Sequence, residues 1–216
     1  MKYNIHETCQ IDHDILQNIY LKYFGYREYG TFVEVGAFDG ITFGHTSGLA
    51  EAGWKGLYIE ADKNNAETCV NNHKDKPNII IENCAIGNTE GICKLYTGGA
   101  VSSTIYGEVA KDWGLLKELS VDVNMYKLDT ILAKYNWIKN FDLLVVDVEE
   151  AELQVLEGFN ISLYKPKMAI IETHEKELNT KFNWKAQPIA DYFNSKGYEK
   201  IHADTINSIF VLKESK

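Results

Sequence analysis

The seven residues Glu34-Val35-Gly36-Ala37-Phe38-Asp39-Gly40 follow directly on a run of strand-forming side chains. Glycine at 36 permits a sharp turn and lets backbone N–H groups come close to a ligand, and Gly40 eases the passage into a following helix. No G-K-[ST] follows, so this is not a phosphate-gripping loop, and the G-x-G-x-x-G spacing of a dinucleotide fold is missing, which argues against a nicotinamide dehydrogenase. Glu34 places a carboxylate where a pyrophosphate would be repelled and a cationic ligand favoured. Glu60 ends the next strand-like run. In an open α/β sheet that position meets a ribose, and a carboxylate there can accept hydrogen bonds from both ribose hydroxyls. Either glutamate alone reads equally well as a solvated strand end. Together they form the pairing expected for S-adenosylmethionine, whose sulfonium and ammonium groups are positive and which carries no phosphate.

These residues need a sheet to hold them. Runs rich in Val, Ile, Phe and Tyr alternate with segments of helical period, the pattern of an α/β protein on a mostly parallel sheet. Strands are expected at Thr31–Val35, Gly56–Glu60, Asn78–Glu82, Phe141–Val148, Lys167–Thr173, Tyr198–Ala203 and Asn207–Leu212. Helices are expected at 13–24, 44–52, from an Asp62 cap to Asn72, from Asp129, at 151–156 ending on a C′ glycine at Gly158, and at 186–196. Between about 87 and 128 glycine and threonine are frequent. This part reads as an irregular, β-rich insertion at the sheet rim, with short strands at Ile92–Thr97, Val101–Ile105 and Val121–Leu128 and a helix near Val109–Leu119.

Composition narrows the class. The 216 residues suit one domain, taken here as 1–216 with an N-terminal helical cap at 1–30 and a catalytic core at 31–216. With 22 Lys and Arg against 31 Asp and Glu the net charge is −9, which disfavours nucleic acid and anionic membrane surfaces as partners. The four cysteines form no C-x-x-C pair and read as free thiols. The first residues lack the apolar core of a signal peptide, and no run approaches the ~18 apolar residues of a membrane span, so a soluble, cytoplasmic chain is expected.

Several blocks in combination identify a family. TFVEVGAFDG-ITFGHTSGLAEAGWKGLYIEA (31–61), NCAIG (83–87), AVSSTI (100–105), VDVEEAELQVLEGF (147–159) and AIIETH (169–174) resemble the FkbM-type S-adenosylmethionine-dependent methyltransferases, and QIDHDIL (10–16) extends the resemblance. Where the family often reads K-I-D-V-E-G-A-E, this chain has Val145 at the lysine position and Glu150 at the glycine. The resemblance implies a Rossmann-like class I methyltransferase fold, with a seven-stranded, mostly parallel sheet, an antiparallel last strand and helices on both faces. It also implies methyl transfer to a hydroxyl oxygen, commonly of a sugar or polyketide. On matching positions, Glu34, Gly36, Ala37, Asp39 and Gly40 would cradle the methionine part of the cofactor and Glu60 the ribose. Asn83, Cys84 and Ala85 would hold the adenine, with Ala61 packed beside it.

A sugar hydroxyl is a poor nucleophile until its proton is removed or its oxygen binds a metal. Asp147, Glu149, Glu172 and His174 are expected at the carboxyl ends of the fourth and fifth strands, facing the cleft. His174 is assigned as the general base, helped by Asp147 and Glu149, and Asp147 is also placed beside the cofactor. Asp147 with Glu172 offers the hard oxygen ligands that Mg²⁺ or another divalent metal prefers. The plainer readings are a strand-end cap for His174 and a favourable helix N-terminus for the acidic run at 147–152. Ser102, Ser103 and Thr104 line the cleft mouth or form a polar turn, and Trp113, Trp137 and Trp184 stack on a sugar or fill core and rim. The function expected is O-methylation of a carbohydrate hydroxyl, such as a deoxysugar of a glycan. The alternatives are another small-molecule or protein acceptor, or a non-catalytic nucleoside-binding module.

Overall fold

The computed structural model describes residues 1–97, 103–105, 107, 111, 120–175 and 185–213. The helix expected near Val109–Leu119, together with Ser102, Trp113 and Trp184, lies outside them.

The main sheet has seven strands: β1 (Thr31–Val35), β2 (Lys55–Glu60), β3 (Ile79–Asn83), β8 (Leu143–Val146), β9 (Met168–Glu172), β10 (Tyr198–Ala203) and β11 (Asn207–Leu212). Their spatial order is β10-β11-β9-β8-β1-β2-β3. The pairings from β9 through β8, β1 and β2 to β3 are parallel, whereas β11 runs antiparallel to both neighbours. The order reverses between β1 and β8, which makes the carboxyl ends of those strands the natural ligand crevice.

Alternation along each strand builds two cores. Val33, Val35, Leu57, Ile59, Leu144, Val146, Ala169 and Ile171 face one side. Their covers come from α4 (Leu128–Leu132), α5 (Glu152–Glu157), α6 (Ile161–Tyr164) and α7 (Ala186–Ser195), through side chains such as Ile131, Val155 and Phe193. Phe32, Tyr58, Leu143, Val145, Met168 and Ile170 face the other side. There they meet α1 (His13–Phe24), α2 (Ser47–Glu51) and α3 (Lys63–His73) through Leu16, Tyr20, Leu49 and Cys69. A sheet covered on both faces requires this continuous apolar character. The helix starts are set locally: Asp12 accepts from the N–H groups of Asp14 and Ile15, and Asp62 from those of Asn64 and Asn65.

The β-rich insertion expected at about 87–128 forms, among the described residues, a second sheet. It comprises β4 (Ala85–Ile86), β5 (Gly91–Thr97), β6 (Ser103–Thr104) and β7 (Ser120–Tyr126) in the order β4-β7-β5-β6. Gly158 differs from expectation. Its φ of −84° is ordinary, and it is glycine because a Cβ would stand 2.1 Å from the Gly87 carbonyl oxygen. Trp137 packs against the first core with Lys55 over its ring, so it is not a sugar platform. No helix of the described residues is long and apolar enough to cross a membrane.

Candidate active site

β1 and β8 are joined at their carboxyl ends by a contact that only glycine allows. The Asp147 N–H donates to the Val35 carbonyl at 3.0 Å. Gly36 then turns with φ +83°, and a Cβ on it would lie 1.6 Å from the Asp147 carbonyl oxygen. The N–H groups of Gly36 and Ala37 both donate to the Ile59 carbonyl, at 2.9 and 3.1 Å. They are therefore spent on the sheet and do not reach for a ligand as the sequence suggested; the glycine serves close approach.

Around this junction opens a cavity of about 900 Å³, measured out to its mouth. Of the predicted cofactor residues, Glu34, Gly36, Ala37, Glu60, Ala61, Cys84, Ala85 and Asp147 line it. Glu34 accepts from the Thr46 hydroxyl and, at 3.4 Å, from the His45 N–H. Glu60 accepts from the Phe38 N–H at 2.8 Å and the Asp62 N–H at 2.7 Å, one on each oxygen, which fixes the carboxylate and leaves a lone pair on each for a ligand. Burial raises both carboxyls to about 7, partly opposed by these hydrogen bonds. Burial likewise pushes the Cys84 thiol up to about 12, so it meets a ligand as a small neutral side chain.

Three predicted cofactor residues do not line the cavity. Asp39 closes its own loop, accepting from the N–H groups of Ile41 and Thr42 and from the Thr42 hydroxyl. Gly40, at φ +75°, makes room for His73 and Cys69 of α3. Asn83 donates to the carbonyls of Glu60 and Ala61 at 2.9 and 3.1 Å and so clamps the turn that presents Glu60. Among the lining residues that sequence reasoning missed are Gln10, Phe43, Leu95, Ile105 and Val148. Gln10 lies in a matching block, but its type suggests no chemistry; Leu95 belongs to β5 of the second sheet and Ile105 directly follows β6.

On the acceptor side the expectations divide. Asp147 and Glu149 line the cavity. Burial, then the charges of Glu172 and of neighbouring acids, raises Asp147 well above the carboxylate range and Glu149 to about 9. Ser103 also lines the cavity, with a buried hydroxyl that has no hydrogen-bond partner among the described residues, while the Thr104 hydroxyl donates to the Glu149 carbonyl at 2.9 Å. His174 and Glu172 stand outside the lining. His174 takes a left-handed backbone, φ 50°, and its Nε2 lies 3.0 Å from Glu172 Oε1. The histidine expected as the base is thus held by a strand-end carboxylate, away from the residues that line the cavity.

The proposed metal pair fares similarly. Asp147, Glu152 and Glu172 each bring an oxygen to within 4.8 Å of one another, as an ion would require. A residue the sequence did not suggest already sits there. Lys185, with 0% of its side chain exposed, places Nζ 3.0 Å from Glu150, 2.7 Å from Glu152 and 2.8 Å from Glu172. Burial tends to raise Glu172, but His174 and this ammonium prevail and hold it down to about 2. Both Glu172 oxygens are engaged, so the pair does not fit a divalent ion, and no step is derived through one.

The geometry fits S-adenosylmethionine: acidic groups at two adjacent strand ends, small side chains at Ala61 and Ala85, and a glycine at the switch point. A family model described as "Methyltransferase FkbM domain" matches residues 34–200. Among solved structures, a precorrin-6y C5,15-methyltransferase from Geobacter metallireducens is similar at 9% identity and a TM-score of 0.51, with 98% of this chain and 94% of that one covered. A fibrillarin pre-rRNA processing protein from Methanococcus jannaschii is similar at 12% identity and a TM-score of 0.50, covering 88% and 69%. At such identities the likeness concerns the fold. A comparison with curated protein sequences gives no match. The family match over most of the chain, on a class I methyltransferase sheet whose switch point carries Glu34, Gly36 and Asp147, places the protein in the FkbM family of S-adenosylmethionine-dependent methyltransferases.

Proposed function

We propose that the protein, acting as one catalytic domain over 1–216, methylates a hydroxyl oxygen of a neutral acceptor, a carbohydrate being the class that fits best. The observation that carries this reading is the pair Asp147 and Glu149 in the cofactor cavity, both raised by burial and by neighbouring acids. S-adenosylmethionine supplies a methyl group made electrophilic by a positive sulfur. Glu34 and Glu60 fix its cationic and ribose ends. A positive ligand favours the ionised form of Glu149 and draws it down from about 9 toward neutrality, where a general base works best. Glu149 then takes the hydroxyl proton while the oxygen bonds to the methyl carbon and the carbon–sulfur bond breaks. The Ser103 hydroxyl offers a donor or acceptor to the same acceptor molecule.

The net charge of −9 supports a neutral acceptor over a polyanion, because an acidic chain repels a phosphate backbone. The test is an acceptor screen with methyl-labelled cofactor across free sugars, glycans, RNA and peptides. Label appearing as an acid-stable ether on sugar oxygens supports the reading, and label on RNA or on nitrogen sinks it.

A further inference from the structure

Lys185 contributes to one of the least ordinary backbone segments in the molecule. Glu149 and Glu150, which follow β8 after Asp147 and Val148, are consecutive non-glycine residues in the left-handed region, with φ of 54° and 81°. Such residues cost of order 1 kcal/mol each and persist only where surrounding contacts over-determine them. Glu150 stands where the family often has glycine, the residue that would take this conformation without cost. Its carboxylate bonds the Lys185 ammonium, which also holds Glu152 at the start of α5 and Glu172 at the end of β9. Glu152 in turn accepts from the Val148 N–H at 3.1 Å through its other oxygen. Val148, Glu150 and Glu152 are thus tied to one buried cation, and Glu149 lies between them with its carbonyl held by the Thr104 hydroxyl.

We propose that Lys185 is the positioning residue of this site: its ammonium stands in for a structural metal ion, gathering three glutamates from a loop, a helix and a strand so that Asp147 and Glu149 face the cavity. The inference rests on the reading that those two acids serve the acceptor. The chemistry is that of an oxygen-lined cation site in which the chain supplies its own cation. Leaving three buried glutamates without it would be strongly unfavourable, since breaking a buried pair strands uncompensated charge. Other hard cations should then be accepted in its place.

The experiment uses the full chain with Lys185→Met, Mn²⁺ as the probe ion, and S-adenosylhomocysteine as the cavity ligand. The variant is expected to unfold at lower temperature than wild type and to bind S-adenosylhomocysteine at least tenfold more weakly. Mn²⁺ should raise its unfolding temperature and recover the affinity, while leaving wild type unmoved. Rescue by an ion is a response that lost packing alone would not give. A variant that Mn²⁺ does not stabilise, or a wild type that it stabilises equally, overturns the proposal.

If Lys185→Met does not fold without ion, the double variant Lys185→Met/Glu152→Gln removes one charge of each sign. It is expected to fold with weakened S-adenosylhomocysteine binding, and wild-type affinity in it overturns the positioning role. Wild type failing to bind S-adenosylhomocysteine would sink the cofactor reading instead. The thermal response of the single variant to Mn²⁺ alone is read independently of that result.

Discussion

Cofactor affinity should depend on pH through Glu34 and Glu60. Both carboxyls are raised by burial to about 7, and a cationic ligand favours their ionised forms. If the doubly ionised site is the competent one, the competent fraction at pH 6 is about one in 120, and at pH 8 about five in six. Binding should therefore tighten about a hundredfold over that interval, equivalent to ~2.7 kcal/mol. Glu34→Gln and Glu60→Gln each delete one titration and should reduce the change to about tenfold. The assay is calorimetric titration of S-adenosylmethionine at several pH values in buffers of different ionisation enthalpy, which also counts the protons released. The ligand's own amino group titrates identically in all three proteins, so differences among them isolate the side chains. Equal pH dependence in wild type and both variants would refute the assignment of these carboxyls to the cationic ligand.

Four further outcomes are expected. Ligand-free protein should lose stability as pH rises from about 5 to 8: Glu34 and Glu60 keep their protons when folded and release them when unfolded, so the stability they contribute at low pH fades up to about 7. Melting curves should show this slope, and saturating S-adenosylhomocysteine should flatten it. Gly36→Ala should destabilise by about 3 kcal/mol or more, since its Cβ would overlap the Asp147 carbonyl at 1.6 Å on a positive φ; denaturant unfolding measures it. Once an acceptor is identified, Glu149→Gln should cut turnover by about 10²- to 10⁴-fold in labelled-methyl assays with cofactor affinity little changed. His174→Ala should retain turnover within about tenfold of wild type, because its ring is engaged by Glu172 outside the cavity.

The parts legible in sequence are those whose cause is local. Runs of strand-forming side chains marked Thr31–Val35 and Tyr198–Ala203 to the residue, and Asp62 announced α3 because a side-chain cap needs only the next three residues. Glu34 and Glu60 were legible because strand ends in this topology converge whatever the loops do. The placing of His174 was not legible for a backbone reason: a left-handed residue two positions past Glu172 swings the ring back onto that carboxylate, and nothing in AIIETH signals the turn. Lys185 was not readable at all. It lies in the polar stretch KFNWKAQ, and its burial depends on three glutamates up to 35 residues upstream, brought there by β8, β9 and α5. The strands of the β-rich insertion were legible, with β5, β6 and β7 falling where strands were expected, but their pairing into a separate sheet was not, because short strands pairing with one another do not carry the long apolar runs of buried parallel strands.

The position of β11 bears on how the molecule assembles. Residues 207–212 slide between β9 and β10, antiparallel to both, and Asn207 at the head of that strand donates to Gln10 on the cavity wall at 3.2 Å across 197 residues of sequence. Until that segment arrives, β9 keeps an unpaired, wholly apolar edge, Met168–Ile171, of the kind that recruits strands from other chains. Such long-range pairing is slow. The nascent chain therefore passes through a window in which its central strands are formed, its binding crevice lacks a wall, and its exposed edge is at its most prone to association.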